Sequence, residues 1–391
     1  MKLEEARARV AKREQVVILG AGYAGLRAAL GLAREPSVQV TLIDRDRAPA
    51  VKTRLHELRE SAETTSVDRL LAQTDVRFLQ ATVSEVDRDS RKVVTDVGET
   101  LEYDHLIVAL GSRASDRGVI GVREHAVMLD GAEDAERLSR SVRQLEQTAG
   151  QLIVVGAGPT GVEAAAEASR MLGRGRVTLV EGGQRILPGF PALPRAYARA
   201  VLAGLGVHVR RLTEVSQVAA GQVVLRDGSV LPYEALLWSA GVEGHPLVAE
   251  SGLAPLRAQA PVDEYLLSKV DPNVYVVGDS ADANGGRPSA QLAVQQGDFV
   301  AKDLLHRLRG EPRNAYLPSV VGEFISLGCD ATGALYLGPI QLPLFGPPAR
   351  AAKLAGETRH RLVVAAKTLT SRAMTFAKSR DPRHALARRT A

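Results

Sequence analysis

The stretch Gln15-Val-Val-Ile-Leu-Gly20-Ala-Gly22-Tyr-Ala-Gly25-Leu-Arg-Ala-Ala-Leu30 decides the fold of this chain. An apolar run with the length and β-branched content of a buried parallel strand leads into a Gly-x-Gly-x-x-Gly turn, and an Ala- and Leu-rich helix follows. A second apolar strand, Val38–Ile43, ends on Asp44. This order of strand, glycine turn, helix, strand and acid predicts a dinucleotide-binding fold.

Each glycine of this turn has its own task in such a fold. Gly20 makes the tight turn, Gly22 leaves room for a pyrophosphate against the backbone, and Gly25 lets the helix pack closely on the strand. The helix N-terminus offers unpaired N–H groups and the positive end of its dipole to the phosphates. Asp44 stands 19 residues after Gly25, where a carboxylate can accept the hydroxyls of an adenosine ribose.

The same pattern returns in residues 151–180, as a strand, a Gly-x-Gly-x-x-Gly turn, an Ala-rich helix and a second strand. The glycines of this second turn are Gly156, Gly158 and Gly161. Glu181 follows the second strand, 20 residues after Gly161. Two complete dinucleotide folds in one chain imply two dinucleotides, one bound in each.

Composition limits the remaining possibilities. The 391 residues suffice for two or three domains, and 45% hydrophobic with 24% charged residues is ordinary for a soluble globular protein. The single cysteine, Cys329, excludes a disulfide framework, a redox-active cysteine pair and a cysteine-ligated metal cluster, and no metal site is predicted. The charged N-terminus, residues 1–14, lacks the apolar core of a signal peptide, and no apolar run approaches the length of a transmembrane helix.

Three other apolar strands end at glycines. Two of them stop at Gly111 and Gly241, and the third, Val274–Val277, stops at Gly278 and Asp279. A carboxylate at the carboxyl end of such a strand lies at the ligand face of a doubly wound sheet. An acid that only caps a turn is the alternative for Asp279.

Three segments carry a resemblance to a known family: Gly158-Pro-Thr-Gly-Val-Glu163, Leu237-Trp-Ser-Ala-Gly-Val242 and Ala290-Gln-Leu-Ala-Val-Gln-Gln-Gly297. With two Rossmann folds, the chain resembles the flavoprotein reductases that bind two dinucleotides. Within them it is most similar to the type II NADH dehydrogenases, which are NADH:quinone oxidoreductases that do not pump protons. The third segment has the AQxAxQQG form characteristic of that family. The resemblance runs from about Gln15 to Gly338.

The resemblance implies an α/β fold with two Rossmann-like FAD/NAD(P)-binding domains, the second inserted in the first, and a C-terminal helical, membrane-facing segment. The implied domains are an FAD-binding domain of residues 1–115 and 243–322, an NAD(H)-binding domain of residues 116–242, and a C-terminal region of residues 323–391 with a basic amphipathic helix.

The resemblance also implies FAD in the first fold and NADH in the second. The residues implied to bind FAD are Gly20, Gly22, Gly25, Asp44, Gly111 and Asp279. Those implied to bind NADH are Gly156, Gly158, Gly161 and Glu181. Gly111 would close the adenosine side, and Asp279 would bind the ribityl or pyrophosphate region. The Glu181 carboxylate should bind the ribose of NADH and repel the extra phosphate of NADPH, a preference that the nearby Arg185 could soften.

Three side chains are implied to lie near the reacting centre. Gln291 and Gln295 stand four residues apart and therefore face the same side of a helix. In the family this helix passes the flavin ring, so the two amides, which can donate to and accept from a quinone oxygen, would border a quinone pocket. Glu163 would lie near the nicotinamide and the flavin. The alternatives are a solvated helix face for the glutamines and a favourable position at a helix N-terminus for the glutamate.

The tail is basic and amphipathic. From Arg350 to the end there are 11 Lys or Arg against two acids, a local charge of +9, whereas the whole chain carries +5. Residues 361–378 predict a helix with an apolar stripe. The stripe is formed by Leu362, Ala366, Leu369, Ala373 and Phe376. A breaker-rich linker is expected at residues 342–348. The pattern favours reversible binding to an anionic membrane surface, and packing on the body of the protein is the alternative.

The function expected from these features is transfer of hydride from NADH to flavin and of two electrons to a quinone, at the inner face of the cell membrane. A soluble NAD(P)H reductase for a small iron protein or another acceptor is one alternative. A redox-responsive binding protein with little turnover is another. Nucleic acid is not expected as a partner, because aromatic residues are only 4% of the chain and no recognition motif accompanies the basic tail. A homodimer remains open.

Overall fold

The computed structural model describes residues 13–48, 51–58, 65–283, 289–356 and 358. The N-terminal residues 1–12 and the predicted amphipathic helix 361–378 lie outside these residues. Two five-stranded parallel sheets dominate the described part of the chain. The α/β class predicted from the two glycine turns is therefore confirmed.

The first sheet is built around the opening strand. Its strands, in spatial order, are Val274–Val276, His105–Val108, Glu14–Leu19, Val38–Asp44 and Arg77–Gln80. The first glycine turn leads into the helix Tyr23–Leu32, which packs against the long helix Ala290–Arg309. We call the second of these the glutamine helix. Four of these strands are largely buried on both faces because helices and loops cover them, which explains their apolar runs, whereas the edge strand Arg77–Gln80 is partly exposed.

The second sheet repeats this arrangement. Its strands, in spatial order, are His208–Arg210, Val177–Val180, Leu152–Val155, Ala235–Trp238 and Val127–Met128. The second glycine turn leads into the helix Pro159–Leu172. Two further helices pack beside it, Ala132–Thr148 and Ala192–Leu205, which the sequence analysis does not predict. The first of them carries Leu138, Val142 and Leu145 at helical spacing, and all three are buried, so the sequence did contain a signal for it.

Each parallel sheet is accompanied by a small antiparallel one. The strands of the first are Val83–Asp87, Lys92–Thr95 and Thr100–Glu102, and those of the second are Val215–Ala219, Gln222–Leu225 and Val230–Pro232. Gly98 and Gly228 turn the two hairpins with φ of 80° and 84°, a left-handed conformation that glycine adopts at no steric cost. The sequences Val97-Gly98-Glu99 and Asp227-Gly228 by themselves predict hairpin turns, and the structure confirms both hairpins.

The chain crosses between the two sheets twice. Ser112–Ala114 and Val242–Gly244 make these crossings and pair with each other as antiparallel strands. The indole N–H of Trp238 donates to the carbonyl of Ser115 at 2.8 Å, which ties the second sheet to the first crossing. The domain boundaries expected at 115/116 and 242/243 stay predictions.

Short elements complete the described chain. They are the 3-10 turns Lys52–Arg54 and Gly278–Ser280, the helices Val67–Leu71, Val122–His125 and Pro246–Glu250, and the paired strands Ala260–Pro261 and Ala281–Asp282.

The C-terminal region contains a sheet where the sequence predicts a linker. Three antiparallel strands, Gly322–Leu327, Asp330–Leu337 and Ile340–Phe345, are followed by a helix over residues 346–356. The predicted linker at 342–348 is therefore wrong. Pro343 lies on an edge strand, where its missing N–H removes no hydrogen bond of the sheet. Pro347 and Pro348 lie in the first turn of the helix, where proline is also tolerated.

The C-terminal sheet packs on the helices of the second sheet. Ile325 and Leu327 belong to the same buried cluster as Leu152 and Val154, and Tyr197 contacts Phe345 with ring centroids 5.0 Å apart. Among the residues that the structure describes, no helix has the length and apolar character needed to cross a bilayer.

Candidate functional site

The first glycine turn is closed by backbone on two sides and open on the third. Gly20 has a φ of 96°, and a Cβ on it would lie 2.5 Å from the carbonyl oxygen of Ala109. A Cβ on Gly25 would lie 1.8 Å from the carbonyl oxygen of Gly20, which no side chain can do. A Cβ on Gly22 would meet nothing within 4 Å. The outer glycines are therefore required by the fold itself, and the middle one faces the space that a pyrophosphate needs.

The second glycine turn has the same geometry. Gly156 has a φ of 99°, and a Cβ on it would lie 2.5 Å from the carbonyl oxygen of Ser239. A Cβ on Gly161 would lie 1.9 Å from the carbonyl oxygen of Gly156, whereas one on Gly158 would meet nothing within 4 Å. Both turns therefore present an open, phosphate-sized approach to a helix N-terminus.

Asp44 holds the first turn in place. Its Oδ2 accepts the backbone N–H of Ala21 at 2.6 Å, and its Oδ1 accepts that of Asp46 at 2.8 Å. Burial raises the pKa of Asp44, and these two N–H donors oppose that rise. An ionised carboxylate accepts about four hydrogen bonds, so oxygens already used for the turn can still accept ribose hydroxyls.

Glu181 does the same for the second turn. Its Oε2 accepts the backbone N–H of Ala157 at 2.8 Å, and its Oε1 accepts that of Gly183 at 2.6 Å. The sequence analysis predicts a ligand role for this acid and for Asp44. The structure adds that each acid also bridges its glycine turn to the residues that follow its own strand.

Asp279, Gly111 and Lys52 meet at the carboxyl edge of the first sheet. The hydroxyl of Ser112 donates to Asp279 Oδ2 at 3.2 Å, and Lys52 Nζ donates to the carbonyl of Ser112 at 2.6 Å. Burial raises the pKa of Asp279, and the charge of Lys52 is the main opposing influence. Gly111 has a φ of 73°. Sequence reasoning did not assign Lys52 to the site, because a lysine in an irregular loop carries no local signal.

Glu163 lies in a buried cluster that joins three parts of the chain. Its Oε1 accepts from Lys353 Nζ at 2.5 Å and from the backbone N–H of Ser326 at 2.8 Å. Its Oε2 lies 3.3 Å from His56 Nδ1. Glu163 and His56 are 7% and 4% exposed. The partners stand more than 100 residues away in both directions, so no sequence pattern near Glu163 could predict them.

The two predicted glutamines face the same side of the glutamine helix, and both bind backbone. Gln295 makes a two-bond pair with Ser319: its Nε2 donates to the Ser319 carbonyl at 2.6 Å, and its Oε1 accepts the Ser319 N–H at 3.1 Å. Gln291 Oε1 accepts the N–H of Val321 at 3.0 Å. The glutamines therefore hold residues 319–321 along the helix, and the simple solvated-face alternative does not describe them.

The rest of the AQxAxQQG segment joins the glutamine helix to the first glycine turn. Gln296, which is buried, accepts the backbone N–H of Gly278 at 2.5 Å. A Cβ on Gly297 would lie 2.2 Å from the carbonyl oxygen of Ala24, so only glycine permits this close approach of two helices. Sequence reasoning assigned neither residue a role. The glycine was the available signal, because a glycine inside a long helix often marks such an approach.

A partly buried ion pair joins the same two helices. Arg27 in the helix after the first turn binds Asp298 in the glutamine helix, with Nε 3.0 Å from Oδ1. Among the described residues, no group of three or more His, Cys, Asp or Glu side chains is arranged to hold a metal ion.

Comparison with known proteins identifies the family that this chain matches. The sequence profile of the pyridine nucleotide-disulphide oxidoreductase family matches residues 14–297. Demethylphylloquinone reductase NdbB of Synechocystis sp. is 32% identical over 87% of this chain and 90% of its own length. A type II NADH:quinone oxidoreductase of Staphylococcus aureus is 31% identical over 84% of this chain and 91% of its own length.

Solved structures share the fold. NDH2 of Plasmodium falciparum in complex with NADH matches with a TM-score of 0.77 and 17% identity, over 94% of this chain and 98% of that one. The sulfide:quinone oxidoreductase of Aquifex aeolicus matches with a TM-score of 0.78 and 19% identity, over 90% of this chain and 92% of that one. At these identities the structural matches show a common fold.

Proposed function

The chain belongs to the pyridine nucleotide-disulphide oxidoreductase family and within it to the type II NADH:quinone oxidoreductases, and we propose that it is an FAD-dependent NADH:quinone oxidoreductase that does not pump protons. The observation that carries this proposal is the pair of glycine turns, each with an open middle glycine and an acid after its second strand. When bound, FAD supplies the two-electron chemistry between nicotinamide and quinone.

The first sheet is assigned to FAD. Gly20, Gly22 and Gly25 shape the approach to the helix N-terminus, whose N–H groups and dipole suit a pyrophosphate. Asp44 holds that turn and has acceptor capacity left for a ribose. Asp279, with Gly111 close by, presents a buried carboxylate at the carboxyl edge of the same sheet. Residues 1–115 and 243–322 are accordingly proposed as the FAD-binding domain.

The second sheet is assigned to NADH, within a domain of residues 116–242. Gly156, Gly158 and Gly161 shape its turn. Glu181 keeps a negative charge beside the position of the adenosine ribose, and that charge repels a 2′-phosphate. NADH should therefore be preferred to NADPH.

Glu163 is proposed to act at the nicotinamide side. It is the fifth residue of the helix that the second glycine turn opens, just beyond the first helical turn. Lys353 and His56 hold its carboxylate in one orientation while excluding water from it. Because a buried carboxylate that loses its partners is strongly disfavoured, Lys353 also anchors the helix of residues 346–356 to the helix of Glu163.

Gln291 and Gln295 are proposed to serve the oxidative half-reaction by shaping the acceptor side. Their side-chain amides hold residues 319–321 through hydrogen bonds to the backbone of Ser319 and Val321. An amide that turns toward a quinone oxygen must break one of these hydrogen bonds. Replacing Gln295 by Glu removes the donor to the Ser319 carbonyl and places a carboxylate against it, whereas Gln291 uses only its acceptor oxygen. Gln295→Glu should slow flavin reoxidation by quinone about tenfold and Gln291→Glu distinctly less.

Stopped-flow measurement of the two half-reactions tests this assignment. Flavin reduction by NADH should be nearly unchanged in both variants. Equal slowing of both half-reactions would mean that the substitutions displace the flavin, and the acceptor-side role would be lost.

The C-terminal region is proposed to place the enzyme at the inner face of the cell membrane. The +9 charge that begins at Arg350 suits anionic lipid, at roughly 1 kcal/mol per basic residue near the surface. Salt should weaken this attraction, since exposed charges are screened. A homodimer is compatible with this placement and is tested by the mass of the detergent-free protein in solution.

The central experiment is purification followed by a visible spectrum and NADH oxidation with several quinones. A yellow protein that releases FAD on denaturation and reduces a quinone supports the proposal. A colourless protein that ignores added FAD would overturn it. Reduction of ferredoxin-like iron proteins with no quinone turnover would favour the alternative acceptor.

A further inference from the structure

The second parallel sheet reverses its strand order beside its glycine turn. From the central strand Leu152–Val155 the chain builds outward through Val177–Val180 and His208–Arg210 on one side. It then returns to place Ala235–Trp238 on the other side of the central strand. In an open α/β sheet, ligands bind in the crevice outside the carboxyl ends of the two strands where the order reverses. The crevice of this sheet therefore opens between the ends of Leu152–Val155 and Ala235–Trp238.

The crevice has two walls, the second glycine turn and residues 239–241. A Cβ on Gly156 would lie 2.7 Å from Cα of Ala240, so the two walls meet at their base. Gly241 follows with a φ of 127°, a conformation that glycine adopts far more readily than other residues. Neither the FAD assignment nor the NADH assignment above uses Gly241, although it closes one of the segments that carry the family resemblance.

The guanidinium of Arg117 lies on Gly241. A Cβ on Gly241 would lie 2.9 Å from Cζ of Arg117, and Arg117 Nε donates to the carbonyl of Ala240 at 2.9 Å. Arg117 follows the first crossing and has a φ of 54°. A positive φ costs free energy at a residue with a side chain, and residues held in this way concentrate at ligand sites.

Neighbouring hydrogen bonds hold the backbone of Arg117 in this conformation. The N–H of Arg117 donates to the hydroxyl of Ser115 at 3.2 Å, and the N–H of Ser115 donates to the carbonyl of Gly241 at 3.0 Å. The bond from the indole of Trp238 to the carbonyl of Ser115 adds a third link. The residues before Arg117 are therefore fixed to the end of the strand that borders the crevice.

The two acids beside Arg117 are paired with other arginines. The side chains of Asp116 and Glu243 are 10% and 11% exposed, and each contacts both Arg123 and Arg257 at N–O distances from 2.5 to 3.7 Å. Within the residues that the structure describes, Arg117 makes no ion pair. Three arginines and two carboxylates leave one positive charge, and Arg117 carries it at the crevice.

We propose that Arg117 binds the pyrophosphate of NADH from the wall opposite the second glycine turn. A guanidinium can donate two parallel hydrogen bonds to a phosphate, and Arg117 keeps its terminal nitrogens for this because Nε is the atom that binds Ala240. The N–H groups at the start of the helix Pro159–Leu172 approach the same crevice from the other wall. This inference rests on the proposed function, which assigns NADH to the second fold.

The position of Arg117 separates its role from that of Glu181. Glu181 follows the strand Val177–Val180, which lies on the other side of the central strand from Ala235–Trp238. Arg117 should therefore strengthen the binding of NADH and of NADPH by the same factor. The preference between the two nucleotides should not change when Arg117 is replaced.

The test uses the full chain loaded with FAD and three nucleotide probes. ADP-ribose carries the pyrophosphate and the adenosine but no hydride, and its Kd is measured by titration calorimetry. NADH and the phosphate-free dihydronicotinamide riboside are compared as hydride donors by stopped-flow measurement of flavin reduction. The variants are Arg117→Gln and Arg117→Lys. The controls are Arg199→Gln, which removes an exposed arginine from the helix Ala192–Leu205, and Arg123→Gln, which removes an arginine from the same charge cluster.

We expect Arg117→Gln to raise the Kd of ADP-ribose and of NADH about tenfold, as loss of a charge-assisted contact to phosphate does. Arg117→Lys should lose about threefold, because it keeps the charge and lacks the planar fork. Flavin reduction by the riboside, flavin content and melting temperature should match the parent protein. Arg199→Gln should leave both dissociation constants unchanged, and Arg123→Gln should change them less than about threefold.

Two results overturn the proposal. One is an unchanged Kd of ADP-ribose in Arg117→Gln. The other is an equal effect of Arg117→Gln on NADH and on the riboside, or of Arg123→Gln and Arg117→Gln on ADP-ribose, since either would show that Arg117 only supports the structure of the crossings. A protein whose ADP-ribose affinity depends on Arg117 but which reduces no quinone would refute the proposed function and not this contact.

Discussion

The two glycine turns differ in what covers them. Both have outer glycines locked against backbone oxygens and an open middle glycine, and both are bridged by an acid. After the first turn, Tyr23 shares a hydrogen bond of 3.0 Å with Thr53, and Ala24 is buried. After the second turn, Pro159 and Thr160 are exposed.

The cover of the first turn is the glutamine helix. Gly297 approaches the carbonyl of Ala24, and Arg27 pairs with Asp298. The helix after the second turn is anchored further along, at Glu163, and its N-terminal end is left open. The two glycine turns have the same geometry, but only the first is enclosed by a second helix. This difference fits a cofactor that stays bound in the first fold and a nucleotide that exchanges in the second.

The strongest test of this comparison replaces the third glycine of each turn. Gly25→Ala and Gly161→Ala each place a Cβ under 2 Å from a backbone oxygen, so both turns must open. Because the first turn is enclosed, Gly25→Ala should give protein without flavin and with a much lower melting temperature. Gly161→Ala should retain flavin but be reduced by NADH about 10- to 100-fold more slowly, since overpacking costs about 1–3 kcal/mol.

Visible spectra, thermal unfolding and stopped-flow reduction measure these effects. Loss of flavin in the Gly161→Ala variant with normal flavin in Gly25→Ala would reverse the assignment of the two folds.

The middle glycines separate fold from ligand. A Cβ on Gly22 or Gly158 meets nothing within 4 Å, so Gly22→Ala and Gly158→Ala should leave the melting temperature of the flavin-free protein unchanged. The added methyl group occupies the phosphate approach, and affinity should fall about tenfold, for FAD in the first variant and for NADH in the second. Titration of the flavin-free protein with FAD, and of the loaded protein with NADH, measures the two affinities. A destabilised flavin-free variant would show that the space is not open.

Substitutions of Glu181 and Asp44 should have different effects, the first on the choice between NADH and NADPH and the second on flavin binding. Glu181→Gln keeps the acceptor for one backbone N–H but removes the charge that repels a 2′-phosphate. It should reduce the preference for NADH over NADPH about tenfold without loss of flavin. Asp44→Asn should weaken flavin binding and leave the nucleotide preference intact. Steady-state kcat/KM with both nucleotides decides the matter. A preference for NADH that persists in Glu181→Gln would mean that a feature other than this charge excludes the 2′-phosphate, and equal use of both nucleotides by the parent protein would mean that Arg185 or another cation overrides the acid.

The smallest expected effect concerns pH. His105 occupies in the first sheet the position that Ala235 occupies in the second, since each begins the strand beside the opening strand. Burial, and then the charge of Arg307, lower the pKa of His105 to about 4. A histidine with a lowered folded-state pKa stabilises the native protein only in its neutral form. Its contribution to the free energy of unfolding is therefore complete above about pH 6.5, and it decreases by at most about 3 kcal/mol as the pH falls toward 4.

His105→Ala should therefore make the melting temperature fall less steeply between pH 6.5 and pH 4. The slope should become shallower rather than flat, because burial also lowers the pKa of His245 to about 4. An identical slope in the variant and in the parent protein would exclude His105 as a source of acid sensitivity.

Local pattern was sufficient for the parts of the molecule whose chemistry is local. The spacing of Gly20, Gly22 and Gly25 predicted the turn and its open side. Paired hairpins around Gly98 and Gly228 were predicted for the same reason, because a turn with positive φ depends on the residues within it. The C-terminal sheet was missed because the prolines of residues 342–348, taken by themselves, indicate a break in regular structure. Only the folded chain shows that they lie on an edge strand and in the first turn of a helix, where proline is tolerated.

What the sequence by itself determined was the presence of two dinucleotide folds, each with a glycine turn and an acid after its second strand. Only the tertiary structure decided what those side chains bind. Lys353 reaches Glu163 across 190 residues, and Ser319 and Val321 occupy the amides of Gln295 and Gln291. The physical reason is that a turn is specified by the steric demands of a few adjacent residues. A buried carboxylate or amide, by contrast, must be satisfied by whichever polar group the folded chain brings within hydrogen-bonding distance.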